Sequence, residues 1–158
     1  GTDVIHLLQP YNCRILICDL LDKRGVLDTY RVTQVPLEKL LTKADVVSLH
    51  VPLTEITHFM VNEEFLQKMK PTAHLVNNSR GPVVNQQALK KALKQNIIAG
   101  AALDVFESEP PDDLEFLALP NLTVTPHIGG NANEAVLAMG RSAINHIKDY
   151  FTNAGKHR

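Results

Sequence analysis

Arg80, Asp104, Glu109 and His127 have the types and neighbours that binding a carboxylate and moving a proton require. Arg80 follows Asn-Asn-Ser and precedes Gly81, and a guanidinium fork grips a carboxylate through two parallel hydrogen bonds. A surface ion pair is the plainer use of such an arginine. His127 stands between Pro126 and Ile128-Gly129-Gly130. Small neighbours leave room for a ligand, and an imidazole exchanges protons near neutral pH, although a lone histidine serves structure just as well. Glu109, in FESEPP, would orient that imidazole and favour its cationic form, the form that donates a proton to a carbonyl oxygen. On spacing alone Glu107 competes equally. Asp104 closes one apolar run and Asp19 closes another.

The elements that must position these groups centre on His74 to Glu109. AHLVNN reads as a strand that turns polar at its end, and IIAGAAL reads as a second, almost uniformly apolar strand running into Asp104. Between them Asn85 can cap a helix whose Ala88, Leu89, Ala92 and Leu93 recur at helical spacing. A strand, crossover helix, strand unit requires a parallel sheet buried on both faces. Ligands bind such sheets outside the carboxyl ends of the strands, which makes Arg80 and Asp104 candidates for one crevice.

The rest of the chain repeats the alternation. Val4, Ile5, Leu7 and Leu8 form a helical face ended by Pro10, and RILIC (14–18) is a short strand finishing at Asp19. A polar connection from Leu20 to Tyr30 turns at Gly25, and residues 31–35 form a brief edge strand. Pro36 opens the helix LEKLLTKA, DVVSLH (45–50) is the next strand, and Asn62 caps a helix carrying Phe65, Leu66 and Met69. After Glu109 the run Pro110-Pro111-Asp112-Asp113 makes a surface connection. Leu122 to Thr125 is the last strand. A helix over about 132–151, with Ala135, Val136, Met139, Ala143, Ile144, Ile147 and Phe151 on one side, precedes a polar tail. The fold class is therefore α/β, a doubly wound parallel-sheet domain. In dinucleotide-binding versions of it, an acid at the position of Asp19 accepts hydrogen bonds from the adenine ribose and repels the extra phosphate of NADP. No arginine directly follows Asp19, and Arg24 is five residues on, so NAD is favoured. A turn-capping aspartate is the alternative.

Composition bounds the remaining possibilities. The formal net charge is −1, from 16 basic and 17 acidic residues mixed along the chain, which leaves no electrostatic footprint for nucleic acid or an anionic membrane. Small-molecule chemistry is the expected destination. Cys13 and Cys18 suit neither a disulfide framework nor metal-ligand spacing and are expected to be buried thiols in a reducing cytoplasm. The other histidines stand at no metal-ligand spacing, so no metal is expected.

Four ordered motifs then carry a family resemblance: LHVPLT (49–54) with Thr57, NNSRGPVVNQQAL (77–89), GAALDVFESEP (100–110) and PHIGG with Glu134 four residues after Gly130. From Gly1 to about Phe151 the chain resembles the NAD-binding domain of the D-isomer-specific 2-hydroxyacid dehydrogenases. The resemblance implies that Arg80 binds substrate, that His127 is the general acid/base and that Glu109 is its partner. It also implies cofactor contacts at Gly1, Asp19, Pro52, Ser79, Asp104, Gly129 and Gly130, with Asp104 at the nicotinamide carboxamide and Asp19 at the adenine ribose. The implied reaction is hydride transfer between NADH and a small 2-keto acid, in a protein that is a homodimer when complete. Corepressors resembling this family keep the fold and act through protein partners, which makes an NAD(H)-sensing binding module the alternative.

The departures set further expectations. The family's glycine-rich turn, G-x-G-x-x-G, aligns its third glycine with Gly1, and the first strand lies ahead of that point. Residues 1–151 are thus expected to be an incomplete NAD-binding domain, with 152–158 as a polar tail, and the separate substrate domain is lacking. Without the first strand, two inner strand edges are left unpaired, at about 1–3 kcal/mol for each buried group left without a partner. The chain by itself is expected to show no significant turnover. NANEA after PHIGG also departs from the small residue and threonine often found there.

Overall fold

The computed structural model of the protein describes residues 1–23 and 31–154. Arg24, Gly25 and the rest of the connection up to Tyr30 lie outside the described residues, as does the end of the tail. Six strands are described: β1 (Ile15–Ile17), β2 (Val32–Gln34), β3 (Val46–Leu49), β4 (His74–Asn77), β5 (Gly100–Leu103) and β6 (Leu122–Val124). The helices are α1 (Thr2–Leu8), α2 (Leu37–Lys43), α3 (Glu63–Lys68), α4 (Gln86–Lys94), α5 (Leu114–Leu117) and α6 (Asn133–Ala154).

Every pairing is parallel. β1 pairs with β2, and β3-β4-β5-β6 form a four-stranded sheet in that order. This is the expected α/β alternation, with a helix in each of the described crossovers β3–β4, β4–β5 and β5–β6. Among the described residues no ladder joins β1 to β3, which is where the sequence predicts unpaired inner edges.

Local chemistry accounts for the elements nearest the site. Asn85 accepts the Ala88 N–H at 2.9 Å, satisfying one of the orphan donors at the start of α4, and Asn62 does the same for Phe65 at 3.0 Å at the start of α3. Ala88, Leu89, Ala92 and Leu93 are buried along one side of α4, which packs beside α3. Leu66, Leu75, Leu89, Ile98 and Phe116 are among the fully buried side chains of the common core. Each large aliphatic or aromatic side chain buried in this way stabilises the fold by about 1.5–3 kcal/mol. Lys90 reaches from α4 to Asp113, the N-cap of α5, and to Glu115, tying α5 to the layer beneath.

Several expectations change. β5 starts at Gly100 rather than at Ile97, because Asn96 adopts a positive φ of 54° and turns the chain, leaving Ile98 to enter the core from a bend. At Gly100 an added Cβ would stand 2.9 Å from the Asn121 carbonyl oxygen, so the strand begins where two backbones meet. Pro36 caps α2 instead of occupying its first turn. Cys13 and Cys18, expected to be buried, are both exposed. β1 is half-buried along its length because it has a strand on one side only, and periodicity alone does not reveal whether a face will be covered. α6 extends to Ala154, three residues beyond its expected end, so the predicted tail begins inside a helix. Its apolar side is uncovered among the described residues: Val136, Met139, Ile144, Ile147 and Phe151 are all exposed.

Candidate active site

The carboxyl end of β4 is built around Asn77, which is fully buried. Its Oδ1 accepts the Ser79 N–H at 3.0 Å and the Ser79 hydroxyl at 2.7 Å, while its Nδ2 donates to the Arg80 carbonyl at 3.0 Å. One amide thus folds the turn that presents Arg80, whose side chain is exposed and donates through Nη1 to the Ser79 carbonyl at 2.7 Å. Sequence reasoning assigned nothing to Asn77. The pattern that would have found it is an asparagine ending a buried strand with a serine two residues on, the signature of an Asx turn.

Gly81 then brings this turn against the next one. A Cβ there would lie 1.7 Å from the Phe106 carbonyl oxygen, so the two backbones touch and only glycine fits. Beyond Phe106 the chain closes on itself, because the Phe106 N–H donates to Oε1 of Glu109 at 3.1 Å. The other carboxylate oxygen, Oε2, lies 2.7 Å from Nδ1 of His127. Of the two acids Glu109 meets the imidazole, and Glu107 instead accepts the backbone N–H of Gln86 at the start of α4. The hydrogen bond to His127, supported by that from Phe106, holds the Glu109 carboxyl below the usual range.

His127 is placed by a left-handed backbone, φ 53°, in the turn leaving β6. That turn is wrapped around Asp104, a buried carboxylate at the end of β5. Oδ1 accepts the Thr125 hydroxyl and the Ile128 N–H, the latter at 2.9 Å, and Oδ2 accepts the Gly129 N–H at 2.9 Å. Burial pushes the Asp104 carboxyl up, but these hydrogen bonds outweigh it and the net shift is downward. A Cβ at Gly129 would come 2.9 Å from Oδ2, so any larger residue there has to displace the Asp104 carboxylate. Gly130 has open space around it. Thr125 is a second residue the sequence reading passed over, and a threonine between a strand and a Pro-His turn was its only mark.

A separate group of the expected residues borders a cleft of about 530 Å³. Gly1, Pro52, Ser79 and Arg80 line it together with His50 and Asn78. The loop carrying Pro52 is held by Thr57, whose hydroxyl donates to the Pro52 carbonyl at 2.6 Å and accepts the Thr54 N–H at 2.8 Å. A hollow of about 640 Å³ between the starts of α3 and α4 involves none of the expected residues. Asp19, at the end of β1, does not line the 530 Å³ cleft. Its Oδ1 accepts the Leu21 N–H at 2.9 Å in a tight turn.

In chemical terms, an imidazole anchored at Nδ1 by a carboxylate keeps Nε2 to give or take a proton. Arg80 offers a positive charge at the end of β4. The family model for the NAD binding domain of D-isomer specific 2-hydroxyacid dehydrogenases matches residues 1–129. Glyoxylate reductase of Korarchaeum cryptofilum is 50% identical over 135 residues, which cover 85% of this chain and 41% of that protein. Among solved structures, D-lactate dehydrogenase from Sporolactobacillus superposes with a TM-score of 0.82 at 38% identity, covering 92% of this chain and 47% of that one. The NAD-complexed D-isomer specific 2-hydroxyacid dehydrogenase of Lactobacillus delbrueckii ssp. bulgaricus gives 0.85 at 29% identity, covering 97% and 50%. The chain therefore spans half or less of the length of these relatives.

Proposed function

The chain belongs to the D-isomer specific 2-hydroxyacid dehydrogenases as their NAD-binding domain, and we propose that it supplies the cofactor site and the proton-transfer residues of an enzyme interconverting a 2-keto acid and a 2-hydroxy acid. The pair made by His127 and Glu109 at 2.7 Å carries this reading. Its catalytic residues are Arg80, Glu109 and His127.

NAD is the cofactor of this family's domain, and the residues present fit it. A cleft at the carboxyl ends of β3 and β4 is where a doubly wound sheet receives a dinucleotide. Gly1, Pro52 and Ser79 border it, and Asp19, just past the end of β1, takes the ribose hydroxyls. Asp104 holds Gly129 and the turn around His127, and with Gly130 completes the nicotinamide side. When bound, the nicotinamide supplies or accepts the hydride.

Around that chemistry the chain binds, orients and moves one proton. The Arg80 guanidinium takes the substrate carboxylate in two hydrogen bonds and fixes which face of the keto carbon is presented. His127 gives the proton on Nε2 to the carbonyl oxygen as negative charge develops there, and recovers it in the reverse direction. Glu109 keeps Nδ1 protonated and the ring oriented, and the Phe106 N–H keeps Glu109 from turning away. We place the protein in the cytoplasm, a reducing compartment that suits two free thiols, and expect a homodimer by family likeness.

The experiment is NADH oxidation by the full-length polypeptide with glyoxylate, hydroxypyruvate and pyruvate. Turnover with at least one is expected, together with its near loss in His127→Ala. Binding of NADH without turnover on a broad keto-acid panel would overturn the reading.

A further inference from the structure

The turn that carries Asp19 is braced from the neighbouring strand by a residue to which neither the motifs nor the family resemblance give a role. Gln34 ends β2 directly beside Ile17 of β1 in the parallel register. Its side-chain amide spans the turn: Nε2 donates to the Leu21 carbonyl at 2.8 Å and to the Asp19 carbonyl at 3.3 Å, while Oε1 accepts the Lys23 N–H at 2.8 Å. From within the turn, Asp19 Oδ1 accepts the Leu21 N–H at 2.9 Å. Residues 19–23 are therefore held at three backbone groups by one amide and at a fourth by the carboxylate itself.

Among the described residues this turn has little apolar packing. It leaves the end of a two-stranded sheet, and Leu20 and Leu21 are exposed at 90% and 63%, so apolar packing does not fix it. A segment without packing keeps one shape only through its hydrogen bonds. It also carries both signs of charge within five residues, Asp19 and Asp22 against Lys23. Which sign faces a dinucleotide depends on the path of the backbone.

We propose that Gln34 is a positioning residue for cofactor discrimination: by clamping the Asp19–Lys23 turn it keeps the Asp19 carboxylate directed at the adenine ribose and so selects NAD over NADP. The proposal rests on the role given to Asp19 above. A carboxylate held in place accepts from the ribose hydroxyls of NAD and repels a 2′-phosphate. One on a loose turn pays the cost of ordering at each binding event, and its repulsion is averaged over many positions.

The test is the dissociation constant of NADH and of NADPH, measured by fluorescence titration on the full-length polypeptide, for the parent protein, Asp19→Ala, Gln34→Met and the double variant. Methionine keeps the length of glutamine without its polar groups. Gln34→Met should weaken NADH about tenfold and leave NADPH nearly unchanged, lowering the preference by the same factor. In the double variant the loss should not exceed that of Asp19→Ala alone, because the clamp acts only through Asp19. Gln34→Glu, which keeps the acceptor for Lys23 but sets a carboxylate against two carbonyl oxygens, should lose preference as well.

Unchanged preference in Asp19→Ala would remove the role of Asp19 itself. Loss of preference in Asp19→Ala with both constants intact in Gln34→Met and Gln34→Glu would overturn the proposal and leave Asp19 in place. Equal weakening of NADH and NADPH in Gln34→Met would also overturn it, since that is the mark of a merely structural residue.

Discussion

Nδ1 of His127 lies 2.7 Å from Oε2 of Glu109, and the other Glu109 oxygen is anchored 3.1 Å from the Phe106 N–H. A carboxylate fixed at both ends orients the ring and fixes which nitrogen faces it. His127→Ala should lower kcat by about 10²–10⁴-fold, the usual worth of a general acid/base. Glu109→Gln should lower it less, about 10–100-fold, because the amide still meets the ring but no longer fixes its orientation as a carboxylate does. Steady-state kcat for the two variants checks this. A kcat in Glu109→Gln equal to that of the parent would remove the carboxylate from the positioning of the ring.

Asp104 accepts from Thr125, Ile128 and Gly129 and so shapes the left-handed turn at His127. Asp104→Asn keeps the volume but sets an amide donor against one of those N–H groups, or leaves it unpaired, at a cost of about 1–3 kcal/mol. Expected are a lower melting temperature and a fall in kcat as the turn loosens. Thr125→Val, which removes one hydroxyl donor and leaves both backbone bonds, should show a smaller version of both.

These two relationships mark what the sequence disclosed and what it withheld. Arg80 and Asp104 were legible as strand-end residues because a helix between two apolar runs forces a parallel sheet, and parallel sheets concentrate function at one end. Asn85 and Asn62 were legible as caps because capping is local. The clamp of Asp104 on residues 125–129 joins groups more than 20 positions apart in the chain, and no spacing rule reports it. Asn77 was hidden for the opposite reason: its partners are two and three residues away, but its complete burial depends on the neighbouring strands. The exposure of Cys13, Cys18 and the apolar side of α6 does not follow from the sequence, because periodicity identifies a face without telling what covers it.

Arg80 is exposed, and its guanidinium donates to the Ser79 carbonyl among the described residues. Arg80→Lys keeps the charge and removes the fork. If the substrate carboxylate is bound in two hydrogen bonds, losing one charge-assisted bond should raise KM for the keto acid about 10–100-fold, with a smaller fall in kcat. Arg80→Gln should be worse than Arg80→Lys. Steady-state kinetics at saturating NADH decide it, and equal KM values for all three proteins would exclude contact with the carboxylate.

Gly81 meets the Phe106 carbonyl where a Cβ would stand 1.7 Å away. Neither partner is a flexible side-chain end, so relief requires separating the turns that hold Arg80 and Glu109. Gly81→Ala should cost about 3 kcal/mol or more, above the usual range for overpacking. Chemical denaturation measures the loss. Gly130→Ala, with nothing near its Cβ, should be close to neutral by the same measurement.

The Lys90 cluster gives stability a predictable dependence on pH. Lys90 bonds both Asp113 oxygens, at 2.9 and 2.8 Å, and Glu115 at 2.7 Å, and Lys94 also pairs with Glu115. The hydrogen bonds from Lys90 hold the Asp113 and Glu115 carboxyls below their usual values and raise Lys90 above its own. Depressed carboxyls contribute stability that is complete above their unfolded values, about 3.9 and 4.3, and is lost as pH falls through the folded values. The raised lysine contributes stability that is complete below about pH 10.4 and is lost as pH rises through its folded value. Lys90→Met keeps the aliphatic stem and removes the charge. The difference in melting temperature between parent and variant should therefore be greatest near neutrality and should narrow below about pH 4 and above about pH 10.5. Asp113 still caps α5 through the Phe116 N–H, and Glu115 still meets Lys94, so part of the acid-side loss should persist in the variant. A gap that stays constant across the whole range would assign the effect to packing of the lysine stem instead of to its charge.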